Sequence, residues 1–181
     1  MIFRKTAIAD MWLIDLKHIG DDRGFFARTY CEEEFRKHGL CTGFVQGNMS
    51  YSSEAGVLRG LHLQVDPAPE AKLVRCVKGA IFDVVVDTRA DSPTYLKHVG
   101  VELDDRNRTA VYVPPYCAHG FQILQENTEV NYLVTGSYSP DAERGYRYDD
   151  PAFGIEWPLR EVSLSEKDKK WAAFQSSPLK K

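Results

Sequence analysis

Hydrophobic and polar positions follow a period of two over most of this chain. Segments near 57–64, 72–77, 80–87, 98–103, 109–113, 119–125 and 129–135 alternate or run apolar, and Gly, Pro, Asp and Asn turns separate them at short intervals. Many short strands divided in this way predict an antiparallel sandwich or barrel. Ahead of them, Met1 to His18 alternates loosely, with Trp12, Ile14 and Leu16 on one face, until Gly20-Asp21-Asp22-Arg23-Gly24 breaks the pattern as a turn. Thr29-Tyr30-Cys31-Glu32 has the form of a capping box before EEEFRKH, and Gly39 stands where a helix stop belongs, so a short surface helix is expected. Phe44-Val45-Gln46 reads as a brief strand and Asn48-Met49-Ser50-Tyr51-Ser52 as a polar loop. Beyond Tyr138-Ser139-Pro140 the pattern is irregular, and Ser165-Glu166-Lys167-Asp168 opens a predicted C-terminal helix that ends near Phe174.

Length and composition narrow the reading. A chain of 181 residues that is 43% hydrophobic is long enough for one well-buried core and short for two, so a single domain over 1–181 is expected. The net charge of -3 exerts no general pull on nucleic acid or anionic membrane, and an anionic ligand must be met by local arginines. Cys31, Cys41, Cys76 and Cys117 form no CxxC, which points to free thiols in a reducing compartment. The start lacks an apolar signal core and no stretch approaches the ~20 apolar residues of a membrane span. A cytoplasmic protein is expected.

Chemistry concentrates between Val57 and Arg89, where His62, Lys72, Arg59 and Arg75 sit among apolar neighbours. Desolvated ionisable groups need a partner or a task. In a regular strand, Leu58, Gly60, His62 and Gln64 share one face while Val57, Arg59, Leu61 and Leu63 share the other, so Arg59 and His62 point apart unless Gly60 hosts a bulge. Lys72, Val74 and Cys76 face together, placing Lys72 to meet His62 across a pair of strands, and Val130, Tyr132 and Val134 make an apolar face with one phenol. The bland alternatives are a core histidine at His62, a solvated Lys72, a core Tyr132 and a buttressing His119. Phe25-Phe26 reads as core. Metal binding finds His62-Leu63-Gln64 where a His-x-His would be wanted, with no glutamate at a close interval, so no metal site is expected.

The run Val57-Leu58-Arg59-Gly60-Leu61-His62-Leu63-Gln64, together with Lys72-Leu73-Val74-Arg75, Phe82-Asp83-Val84-Val85-Val86-Asp87, Asp91-Ser92-Pro93-Thr94, Ala118-His119-Gly120-Phe121, Ile155-Glu156-Trp157-Pro158 and Ser165-Glu166-Lys167-Asp168, closely resembles the dTDP-4-dehydrorhamnose 3,5-epimerase family from about Asp21 to Asp168. The resemblance implies an all-β, cupin-type double-stranded β-helix (jelly roll) with short peripheral helices. It also implies a homodimer with swapped N-terminal elements, a nucleotide-diphosphate sugar as substrate, and catalysis without metal or organic cofactor. By the same resemblance His62 is the general base paired with Asp168, Tyr132 the acid on the opposite face of the sugar, and Lys72 the cation at the enolate oxygen. Substrate contacts are implied for Arg23, Phe25, Arg28, Gln46, Asn48, Arg59, His119 and Tyr138. Two positions depart from the family pattern: Arg28 stands where a glutamate usually meets the thymine, and Gly47 interrupts a Gln-Asp-Asn. They leave the nucleotide base open.

Elementary chemistry agrees with these roles. A proton α to a ketone becomes removable when a preformed cation meets the developing oxyanion, worth roughly 10²–10³ in rate. Inversion needs a base and a separate acid on opposite walls, and histidine and tyrosine hold the right protonation states near neutral pH. The rivals are an epimerase of one carbon on another nucleotide such as CDP, a non-catalytic sugar-nucleotide binder, and a metal-dependent cupin oxygenase.

Overall fold

The computed structural model describes residues 1–174. In chain order the elements are β1 (Ile2–Lys5), β2 (Trp12–Asp15), β3 (Ile19–Asp21), β4 (Gly24–Phe26), α1 (Glu32–Lys37), β5 (Gln46–Ser52), β6 (Leu58–Gln64), β7 (Lys72–Lys78), β8 (Ala80–Asp87), β9 (His98–Asp104), β10 (Ala110–Val113), β11 (Cys117–Ile123), β12 (Thr128–Val134) and β13 (Glu143–Gly145). Among these residues the strands form a six-stranded sheet ordered β1-β2-β10-β7-β12-β5 and a five-stranded sheet ordered β13-β6-β11-β8-β9, with β3 and β4 as a separate hairpin. From β6 onward the chain passes from one sheet to the other at nearly every turn, which is the jelly roll expected. No described helix is long and apolar enough to cross a membrane.

The period of two sets the layers. Val74 and Cys76 of β7, Val130 of β12, Ile81 and Val85 of β8 and Phe121 of β11 meet between the sheets, each buried aliphatic side chain contributing about 1.5–3 kcal/mol. Alternate residues point outward. Leu73 and Tyr112 pack with Phe35 of α1 on the outer face of the six-stranded sheet, and Val84 and Val86 pack with Leu61, Leu63, Tyr146 and Phe153 outside the other. The apolar run Val84-Val85-Val86 of β8 follows from its burial on both faces.

Several expectations change. Met1 to His18 is a hairpin of two strands, β1 and β2, paired Ile2 to Asp15 through Lys5 to Trp12. The supposed loop from Asn48 to Ser52 belongs to β5, the edge strand paired with β12, while Phe44 and Val45 lie outside it. Helix α1 starts after Cys31, with no side-chain cap, so the Thr29 capping box does not form. Its stop is as expected. Gly39 takes φ +73°, its N–H donating to the Arg36 carbonyl and that of Leu40 to Phe35. The C-terminal helix shrinks to a 3-10 turn, Asp168–Lys170. The pair Phe25-Phe26, expected in the core, is exposed.

Candidate active site

β6 opposes β11 with His62 across from His119 but Arg59 across from Phe121, so β6 carries one extra residue between those pairs. This is the bulge that Gly60 allows. Gly60 takes φ +130°, and a Cβ there would stand 2.5 Å from the Gly120 Cα, an approach that a larger residue would block. The extra residue brings Arg59 and His62 to one cavity while Leu61 and Leu63 keep to the outer cluster. That cavity, of about 470 Å³, lies between the two sheets. Arg59, His62 and His119 line it from the five-stranded sheet, and Lys72 and Tyr132 from the six-stranded one. Lys72 therefore faces His62 across the interior and not along a strand pair, a correction to the sequence reading.

The C-terminal segment closes one side. Ser163 bridges Val57, its carbonyl accepting from the Leu58 N–H and its N–H donating to Gly56. Asp168 then reaches the imidazole: His62 Nε2 lies 2.5 Å from Asp168 Oδ1. Trp171 Nε1 donates to the same oxygen at 3.3 Å, its ring seated on Gly145 so closely that a Cβ there would collide with it. Burial would raise the Asp168 carboxyl, but the hydrogen bond and charge of His62, with help from Ser165 and Trp171, hold it below the usual carboxylate range.

Two carboxylates escaped the sequence reading. Asp83, fully buried on β8, accepts from His119 Nε2 at 2.8 Å, so His119 is a paired and buried histidine at the cavity wall. An aspartate at an inward position of an apolar strand was the available signal. Glu70, in the aperiodic loop before β7, lies 3.3 Å from Lys72 Nζ. Tyr132 is raised by burial first and by the charge of Glu70 second, with Arg59 opposing.

The remaining expected contacts divide. Gln46, Asn48 and Tyr138 line a depression that shares His62, Lys72 and Tyr132 with the cavity. Gln46 Oε1 accepts from the Tyr138 N–H at 2.8 Å, and the Tyr138 hydroxyl donates to Glu143 at 3.0 Å. Arg23, Phe25 and Arg28 do not line it. Arg23 is exposed and pairs with Asp21 at 2.6 Å, Arg28 lies 3.7 Å from Glu34, and Phe25 stacks on His18 at 4.0 Å with Arg108 over its ring. Cys31, Cys41, Cys76 and Cys117 are free thiols, and burial pushes Cys76 and Cys117 up to about 12.

The family model described as dTDP-4-dehydrorhamnose 3,5-epimerase matches residues 5–176. The chain belongs to the dTDP-4-dehydrorhamnose 3,5-epimerase family. A relative of that name from Sinorhizobium fredii is 46% identical over 169 residues, covering 93% of this chain and 87% of its own. A crystal structure of the Elizabethkingia anophelis enzyme superposes with a TM-score of 0.95 at 38% identity, covering 99% of each chain. That from Bacillus anthracis, solved with TDP and PPi bound, gives 0.92 at 39% identity, covering 96% of this chain and 99% of that one. The epimerase family fixes the enzyme class as isomerase and the fold as the cupin jelly roll.

Proposed function

We propose that the chain inverts C3 and C5 of a 4-keto-6-deoxyhexose carried on dTDP, of the dTDP-4-dehydro-6-deoxyglucose type, by deprotonation and reprotonation beside the ketone. One observation carries the reading: imidazole and phenol line one cavity from opposite sheets, with an ammonium in the lining on the phenol's side. A proton taken on one side of the ring can then be replaced from the other.

His62 takes the proton. Its bond to Asp168 occupies one ring nitrogen and leaves the other for the substrate, while the carboxylate stabilises the imidazolium that forms. Lys72 meets the enolate oxygen, where a positioned cation is worth roughly 10²–10³ in rate. Tyr132 returns a proton to the opposite face, and burial keeps its hydroxyl protonated for that step. The fork of Arg59, held by the Tyr51 carbonyl and Ser52 hydroxyl, suits a diphosphate. His119 lines the same wall, and Gln46, Asn48 and Tyr138 extend it.

A homodimer belongs to the same reading. The β3–β4 hairpin carries Arg23 and Phe25 exposed and away from the cavity of their own chain, so a swapped arrangement would bring them to a neighbour's site.

NMR of dTDP-4-dehydro-6-deoxyglucose in deuterated buffer tests the proposal. Deuterium at both C3 and C5 with the inverted product is expected. Exchange at one carbon alone would leave a single-carbon epimerase, and no exchange with a dTDP, CDP or GDP 4-keto sugar would leave a binder.

A further inference from the structure

We propose that Glu70 is a positioning residue of the reaction, fixing the Lys72 ammonium against the wall of the cavity where the ketone oxygen arrives. The inference rests on the role given to Lys72 above. Glu70 lines the depression that shares His62, Lys72 and Tyr132 with the cavity, an unexpected place for a carboxylate beside a diphosphate site, because it repels the ligand and loses hydration when buried. Glu70 is nonetheless turned inward. Its side chain is 10% exposed and that of Lys72 12%, so the 3.3 Å contact between them is little screened by solvent.

The second carboxylate oxygen explains what the pair is built on. Glu70 Oε2 accepts from Gln64 Nε2 at 3.3 Å. The same amide donates to the Ala68 carbonyl at 3.1 Å and the Ser137 carbonyl at 3.2 Å, and its oxygen accepts from the Ser139 N–H at 2.7 Å. Gln64 is fully buried on β6, two residues beyond His62. A polar bridge from Gln64 through Glu70 to Lys72 therefore joins the strand of the base to the strand of the cation, which lie in different sheets. A free lysine would sample many rotamers, and misplacing a catalytic group by about 1 Å can cost ~10²-fold in rate.

Glu70 acts on the acid too. The charged and titratable groups that line the cavity with Tyr132 are Arg59 and His62 of β6, Lys72 of β7, His119 of β11, and Lys167 and Asp168 of the C-terminal segment, while Tyr30 and Arg75 share a separate groove with it. The adjoining depression adds Glu70, Glu143 and Tyr138. Of these, Glu70 opposes formation of the phenolate and so keeps the proton donor loaded.

The test is Glu70→Gln in the full-length enzyme, assayed for turnover and solvent exchange with the dTDP 4-keto sugar. Expected are a kcat lower by about 10-fold to 100-fold with KM little changed, and a basic limb of the kcat–pH profile moved to lower pH. In a Lys72→Met background the same substitution should remove little further activity, since its target is gone. Wild-type kcat in Glu70→Gln, a loss confined to KM with the basic limb unmoved, or losses that multiply fully in the double variant would overturn the proposal. If Glu70→Gln does not fold, Glu70→Asp keeps the charge while shortening its reach. A lower kcat with an unmoved basic limb is then expected, and wild-type kcat would overturn the proposal. Exchange by the wild type and its decrease in Lys72→Met bear on the site reading alone, so the two can fail separately.

Discussion

His62 depends on a carboxylate that arrives from the far end of the chain. Asp168 is buried and tied to the imidazole, to Trp171 and to Ser165, so its negative charge is both fixed and compensated. Asp168→Asn keeps the shape and removes the charge that, in the proposed mechanism, stabilises the imidazolium. We expect kcat for exchange to fall by ~10²–10⁴ with the fold retained, measured by deuterium incorporation. The pair also affects stability. Because the folded carboxyl lies below its unfolded value, its contribution is complete above the ordinary carboxylate range and disappears as the pH falls through the folded value. Urea midpoints of the wild type should therefore drop more steeply than those of Asp168→Asn as the pH falls through and below the ordinary aspartate value of ~3.9. A parallel decline in the two proteins would show that the pair adds nothing.

Among the elements, β6 is the one on which the site turns. Gly60→Ala would drive a Cβ into the backbone of β11 and force a non-glycine residue to φ +130°. A loss of more than ~2 kcal/mol in unfolding free energy is expected, with exchange abolished in whatever folds. The long strands β6 to β12 can be read from the sequence because burial on one or both faces imprints a period of two or an apolar run on each. β5 cannot, since its less exposed positions, Asn48, Ser50 and Ser52, are all polar, and a polar edge strand has the composition of a loop. The predicted C-terminal helix fails because bridging bonds at Ser163 and the contacts of Asp168 and Trp171 hold that segment to the sheet. His62, Lys72 and Tyr132 are legible as ionisable groups on inward positions. Glu70 is not: it lies in a proline-bearing loop with no period, and only the fold brings it to Lys72.

At the scale of the whole molecule, the β3–β4 hairpin and the edge of β5 are exposed, with Met49 and Tyr51 open to solvent. If the hairpin of one subunit completes the cavity of another, mixing inactive His62→Asn with inactive Arg23→Ala should restore exchange that neither has alone. A mixed dimer would then hold one site with every group intact. Mixtures that stay inactive, or a single-chain mass in light scattering, would refute the swapped arrangement. The division of labour between the two sheets has a last consequence. Facing sheets stand about 10 Å apart, a spacing maintained by the aliphatic side chains packed between them. Val74 is one of these and pairs in register with Tyr132, so the methyl groups of the interior set the clearance around a six-membered ring. Spread the walls by a methylene and label would still wash into the sugar, yet more of it would return with its original handedness: stereochemical fidelity in this molecule is a property of its insulation as much as of its reagents.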